Sequence, residues 1–123
     1  MALLVLVNNF MHDFSAAGWL FGSVLLWRIL PMVTVQTTSS DTVTRILATI
    51  RLLMMLSVIG IVAFGVGRTI AYREYEWSAQ AGNSQVTLLI IKHIVFTGIF
   101  IPGLLSYRRA GRLLRKVLNE NQQ

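Results

Sequence analysis

The chain has 123 residues, 54% of them hydrophobic and 13% charged, a balance that excludes an ordinary soluble domain and fits a single small integral membrane domain, residues 1–123. It contains no cysteine, which excludes disulfides, thiolate-held zinc or iron–sulfur clusters and covalent c-type haem, so any cofactor falls to His, Met, Lys or carboxylate side chains. The formal net charge of +6 flanks long apolar runs, so its counter-charge is expected in anionic lipid head groups and not in nucleic acid.

A bilayer core about 30 Å thick takes about 20 helical residues, and the sequence offers three such stretches. The first covers residues 9–27. The run MALLVLVNNF ahead of it has no basic residue before its apolar part, and reads as the beginning of this helix rather than a signal peptide. Pro31 marks its end. In the following TVQTTSSDTVTRILATIR, Ser39, Ser40 and Asp41 are candidate N-caps for a helix expected to slant along the interface before entering the membrane. The second span covers residues 52–71, and YREYEWSAQAGNSQ connects it to the third, with Gly82 and Asn83 as turn formers. The third span covers residues 86–107 and should kink at Pro102. The tail, residues 108–123, reads as a basic helix that lies over an anionic leaflet, docks on a partner subunit or acts as a stop-transfer anchor.

Charge sets the direction. Arg28, Arg45 and Arg51 share one side with Arg108, Arg109, Arg112, Arg115 and Lys116, against Asp41 and Glu120. The other side carries Arg68, Arg73 and Lys92 against Asp13, Glu74 and Glu76. The cation-rich side is therefore expected in the cytoplasm, with the N-terminus outside and the C-terminus inside. Trp27 and Tyr107 then fall at the inner interface, and Tyr72, Tyr75 and Trp77 at the outer one.

That direction places His12, His93 and Arg68, from three different helices, in the same leaflet. Ionisable groups inside a membrane are functional hypotheses by default, because burying them unpaired costs several kcal/mol. Two histidines on facing helices match the axial ligands of a b-type haem, one haem for the chain's two histidines. His12, Ser15, Ala16, Trp19, Gly22 and Ser23 form one stripe of the first helix, with Trp19 as an aromatic wall. Ser57, Gly60, Phe64, Gly67, Arg68 and Ala71 form another on the second, where Arg68 would pair with a haem propionate. Asp13 would orient a ligand or face water near the rim. Such stripes also serve ordinary helix packing, histidines also hydrogen-bond across helices, and Arg68 and Lys92 also snorkel toward head groups. Met11 beside His12 offers a copper alternative, with Met54 and Met55 in the opposite leaflet. No nucleophile triad, phosphate loop or paired-carboxylate pattern supports soluble-enzyme chemistry.

The order His12, six residues, Trp19, two residues, Gly22, five residues, Arg28 resembles the first transmembrane helix of the HemJ-type protoporphyrinogen oxidases and their CopD-like relatives. That resemblance implies a helical bundle associated with b-type haem or copper, and a lysine in an apolar setting on a later helix. LLIIKHIVF supplies Lys92 as its match. The sequence departs from the pattern in lacking a fourth span, in placing Trp77 fifteen residues before Lys92, and in adding His93. These departures favour a haem-binding subunit over the enzyme.

The expectation is thus a three-helix, haem b-binding subunit of an electron-transfer complex in the bacterial inner membrane, with His12 and His93 as iron ligands and Arg68, Trp19, Gly22 and Lys92 around the cofactor. Its partners would be membrane lipids, other subunits, and a quinone or an outer-face cytochrome. The alternatives are a protoporphyrinogen oxidase, a cofactor-free structural subunit and a copper-handling protein.

Overall fold

A computed structural model of the chain describes residues 2–33, 41–71 and 82–120. These segments form helix α1 (Ala2–Ile29), a 3-10 turn (Leu30–Met32), helix α2 (Asp41–Ala71) and helix α3 (Gly82–Glu120). Among the described residues, three helices are long and apolar enough to cross a membrane, so the all-α, multi-pass reading stands. Ser39, Ser40, Tyr72, Tyr75 and Trp77 lie outside the described residues.

The helices run past the expected spans. At 1.5 Å per residue, their 28, 31 and 39 residues each exceed the hydrocarbon thickness. α1 begins at Ala2, and it ends where Pro31 disfavours helical geometry in the residue before it. The chain tightens there into the 3-10 turn, with the Val33 N–H donating to the Leu30 carbonyl at 3.4 Å. α2 begins at Asp41, among the expected N-cap candidates, and residues 41–51 run without a break into the span, with Leu47 and Ile50 buried against the end of α1 and α3. Gly82 and Asn83 open α3 rather than closing a turn. α3 continues through Pro102 to Glu120, so most of the basic tail belongs to the third helix. Pro102 has no N–H to give to the Gly98 carbonyl one turn back, which removes one rung of the ladder there.

Contacts fix the helix directions. Side chains of α1 approach glycines of α2, and the reverse, in descending register: Asn8 at Gly67, His12 at Gly65, Ser15 at Gly60, Gly18 at Ser57, Gly22 at Met54. The two helices are therefore antiparallel. Trp19 stacks on Phe100, and Ser23 approaches Gly103, so α1 and α3 are parallel. Lipid tails are as apolar as leucine, so close packing and interhelical hydrogen bonds hold such helices together. Glycine permits the approach: a Cβ on Gly18 would stand 2.6 Å from the Ser57 hydroxyl, and one on Gly67 2.7 Å from Asn8 Oδ1. Asn8 also donates from Nδ2 to the Phe64 carbonyl at 2.9 Å.

The bundle has a closed end and an open end. Leu26, Leu30, Leu47, Ile50, Met54, Ala110 and Leu114 form the core where the C-terminal part of α1 meets the first half of α2 and the second half of α3. At the other end α3 presents Leu88, Ile90, Ile91, Ile94 and Val95 to its surroundings, all at least half exposed. Exposed apolar faces of this extent suit lipid as solvent.

Candidate binding site at the open end

Where α3 stands off from α2, a cavity of about 650 Å³ opens among the helices. Its polar lining is His12 from α1, Arg68 and Thr69 from α2, and Lys92 and His93 from α3. Its apolar lining includes Ala16, Ile61, Val66, Leu89 and Phe96. The volume falls within the roughly 300–1,000 Å³ usual for small-molecule sites, and an apolar wall with a few convergent polar groups is their usual chemistry.

Asp13 ties the polar groups together. Its Oδ1 accepts hydrogen bonds from Arg68 Nη1 and from Lys92 Nζ, each at 3.0 Å, so one carboxylate joins all three helices. His12 Nδ1 lies 3.5 Å from the same oxygen. Two cations thus meet on one carboxylate oxygen. The spans contain one acid, Asp13, and two bases, Arg68 and Lys92. That count alone signals the pairing, since charges in hydrocarbon seek one another.

Each histidine has Nδ1 facing an acceptor. His93 Nδ1 lies 2.7 Å from the Leu89 carbonyl one turn back on α3, and His12 Nδ1 faces the Asp13 carboxylate. A carbonyl or a carboxylate can only accept, so these contacts favour a proton on Nδ1, the tautomer that leaves a lone pair on Nε2. Orientation through Nδ1 is the arrangement by which ligating histidines are usually held. Thr69 Oγ1 donates back to the Gly65 carbonyl at 2.8 Å, so its hydroxyl is satisfied within its own helix. Gly65 makes the space for His12: a Cβ there would stand 3.2 Å from the ring's Nε2.

The expected site residues divide into two groups. His12, Arg68, Lys92 and His93 meet at the cavity. Trp19 and Gly22 sit deeper, in the packing between helices. Trp19 is 2% exposed and stacks on Phe100 with ring centroids 4.5 Å apart, while Gly22 receives the Met54 side chain. The aromatic wall of the cavity is Phe96, which contacts Phe100 at 5.8 Å and so continues the stack outward from Trp19. Arg68, expected at a propionate, pairs here with Asp13. Sequence reasoning left Asp13 at the margin and missed Phe96 and Gly65. Helical spacing carried a signal for Phe96, since it lies four residues after Lys92 and three after His93.

Comparison with protein-family models, with curated proteins and with solved structures finds no match to this chain.

Proposed function

We propose that the chain is a membrane subunit that holds one b-type haem in the cavity at the open end, with His12 and His93 as axial ligands. The observation that carries this reading is that both imidazoles line one cavity while each turns Nδ1 to an acceptor, the tautomer in which Nε2 can ligate a metal. Among the described residues no group of three or more His, Asp or Glu gathers to hold a metal ion. A two-imidazole set suits an iron whose equatorial ligands come from a porphyrin better than a bare copper ion. The cations Arg68 and Lys92 in the cavity lining suit an acidic propionate, and Phe96 offers a flat apolar wall. Haem, when bound, supplies a one-electron couple; the chain supplies burial, ligands and charge.

In this reading the cation-rich closed end faces the cytoplasm of a bacterial inner membrane, and the haem lies toward the outer face. A single haem there exchanges electrons with a quinol or an outer-face redox protein, within a complex of other subunits. A second reading has its own support: Asp13 bridging Arg68 and Lys92 is also what a cofactor-free structural subunit would use to lock three helices. A HemJ-like oxidase acting through Lys92 is the enzymatic alternative.

A reduced-minus-oxidised spectrum of the detergent-purified protein, with a pyridine haemochrome assay, tests the proposal. A b-type spectrum near one haem per chain, lost on changing either His12 or His93 to Ala, is the expected result. A colourless protein leaves the structural reading, and porphyrinogen turnover leaves the oxidase.

A further inference from the structure

The closed end holds a second polar feature that the haem reading does not use. Arg51, on α2, lays its guanidinium over the Tyr107 ring of α3, with Cζ 4.5 Å from the centroid. Its Nε is buried and has no hydrogen-bond partner among the described residues. One turn past Tyr107, Gly111 is buried, and its missing side chain makes the room: a Cβ there would stand 2.8 Å from Arg51 Nη2. The guanidinium thus lies in the seam between the two helices, over the Tyr107 ring and beside Gly111. Arg108 and Arg112 directly follow the two residues it touches, and both are exposed. Among the described residues no carboxylate pairs with any of these three cations; Asp41 is occupied by Arg45 at 2.8 Å.

The level in the membrane is set by the apolar runs. Arg51 immediately precedes the run of residues 52–71, and Arg108 immediately follows that of residues 86–107, so both stand where hydrocarbon gives way to head groups. Beside them the surface is apolar, with Leu52, Ile101 and Leu105 each more than half exposed.

We propose that this seam between α2 and α3 is a binding site for one anionic phospholipid, whose phosphate engages Arg51 with Arg108 and Arg112 beside it and whose acyl chains lie along Leu52, Ile101 and Leu105. A guanidinium fork matches phosphate oxygens in a bidentate manner that an ammonium does not. Arg108 and Arg112 select against a zwitterionic lipid, because its choline cation would meet them. The adjoining apolar face favours a lipid over free phosphate.

The test uses the full chain in detergent, titrated with phosphatidylglycerol or phosphatidylcholine, with bound lipid counted by native mass spectrometry. One phosphatidylglycerol is expected to be retained at concentrations where phosphatidylcholine is not. Each cation removed, as in Arg51→Gln, is expected to weaken that retention about fivefold. Gly111→Ala keeps every charge but displaces the fork, and is expected to weaken it too. Should Arg51→Gln fail to fold by circular dichroism, the exposed pair Arg108→Gln and Arg112→Gln carries the test. Equal retention of the two lipids, or wild-type retention in the folded variants, would overturn the proposal. Full displacement of the lipid by excess inorganic phosphate would also overturn it, in favour of a free-anion site.

Discussion

At the residue scale the chemistry concentrates on Asp13, the single acid within the three apolar runs and the acceptor for Arg68 and Lys92. Polar bonds between membrane helices are worth about 0.6 kcal/mol on average and up to about 1.7. Asp13→Asn keeps an acceptor oxygen but removes the negative charge that Arg68 and Lys92 share, and is expected to cost about 1 kcal/mol of stability. Denaturant unfolding followed by circular dichroism measures it, and replacing Asp13 and Lys92 together by Leu should recover most of the loss. An unchanged midpoint in Asp13→Asn would mean the cluster does not hold the bundle. Gly65→Ala tests a finer point. Its Cβ would press on His12 at 3.2 Å, so the ring must shift by a few tenths of an ångström while the helices stay packed. Under the haem proposal the expected outcome is a moved midpoint potential or lower haem content with an unchanged unfolding curve; an unaltered redox titration would place His12 away from the iron.

At the element scale the helices divide by what their glycines face. Gly60 meets Ser15, whose Oγ is already committed to the Met11 carbonyl at 2.7 Å, whereas Gly98 has nothing within 4 Å. Gly60→Ala is therefore expected to destabilise by about 1–3 kcal/mol through overpacking. Gly98→Ala should be neutral or stabilise by up to about 1 kcal/mol, as helix propensity predicts where no contact opposes it. The two variants unfolded side by side check this, and equal effects would show that α1 and α2 do not interlock at Gly60. The three apolar runs were legible because a spanning helix must satisfy its own backbone over about 20 residues, a local requirement. The start of α2 was legible as well, in the N-cap candidates up to Asp41, but the start of α3 was not, since Gly82 and Asn83 read as turn formers and yet open the helix.

For the whole molecule, α1 and α3 run parallel with α2 reversed between them in sequence, so the cavity end and the cation-rich end are opposite. The proposed orientation follows from the charge difference between those ends. The absence of native cysteine makes single-cysteine labelling clean. Ser84→Cys, near the cavity end, is expected to react with an impermeant maleimide in intact cells; Lys116→Cys is expected to react only after the membrane is opened. The opposite pattern would invert the protein and turn the cavity toward the cytoplasm.

The amino-acid order alone determined three stretches long and apolar enough to span and the place of each polar residue along its helix, because both follow from length, hydropathy and a fixed rise of about 1.5 Å per residue. It thereby brought His12, Arg68, Lys92 and His93 to one level. Rotation about each helix axis was decided only by tertiary packing, because small residues occupy several faces and the preferred one depends on what the neighbouring helix inserts. That rotation sent Trp19 and Gly22 into the packed interior, put Phe96 on the cavity wall, and gave Asp13 to two cations from two other helices.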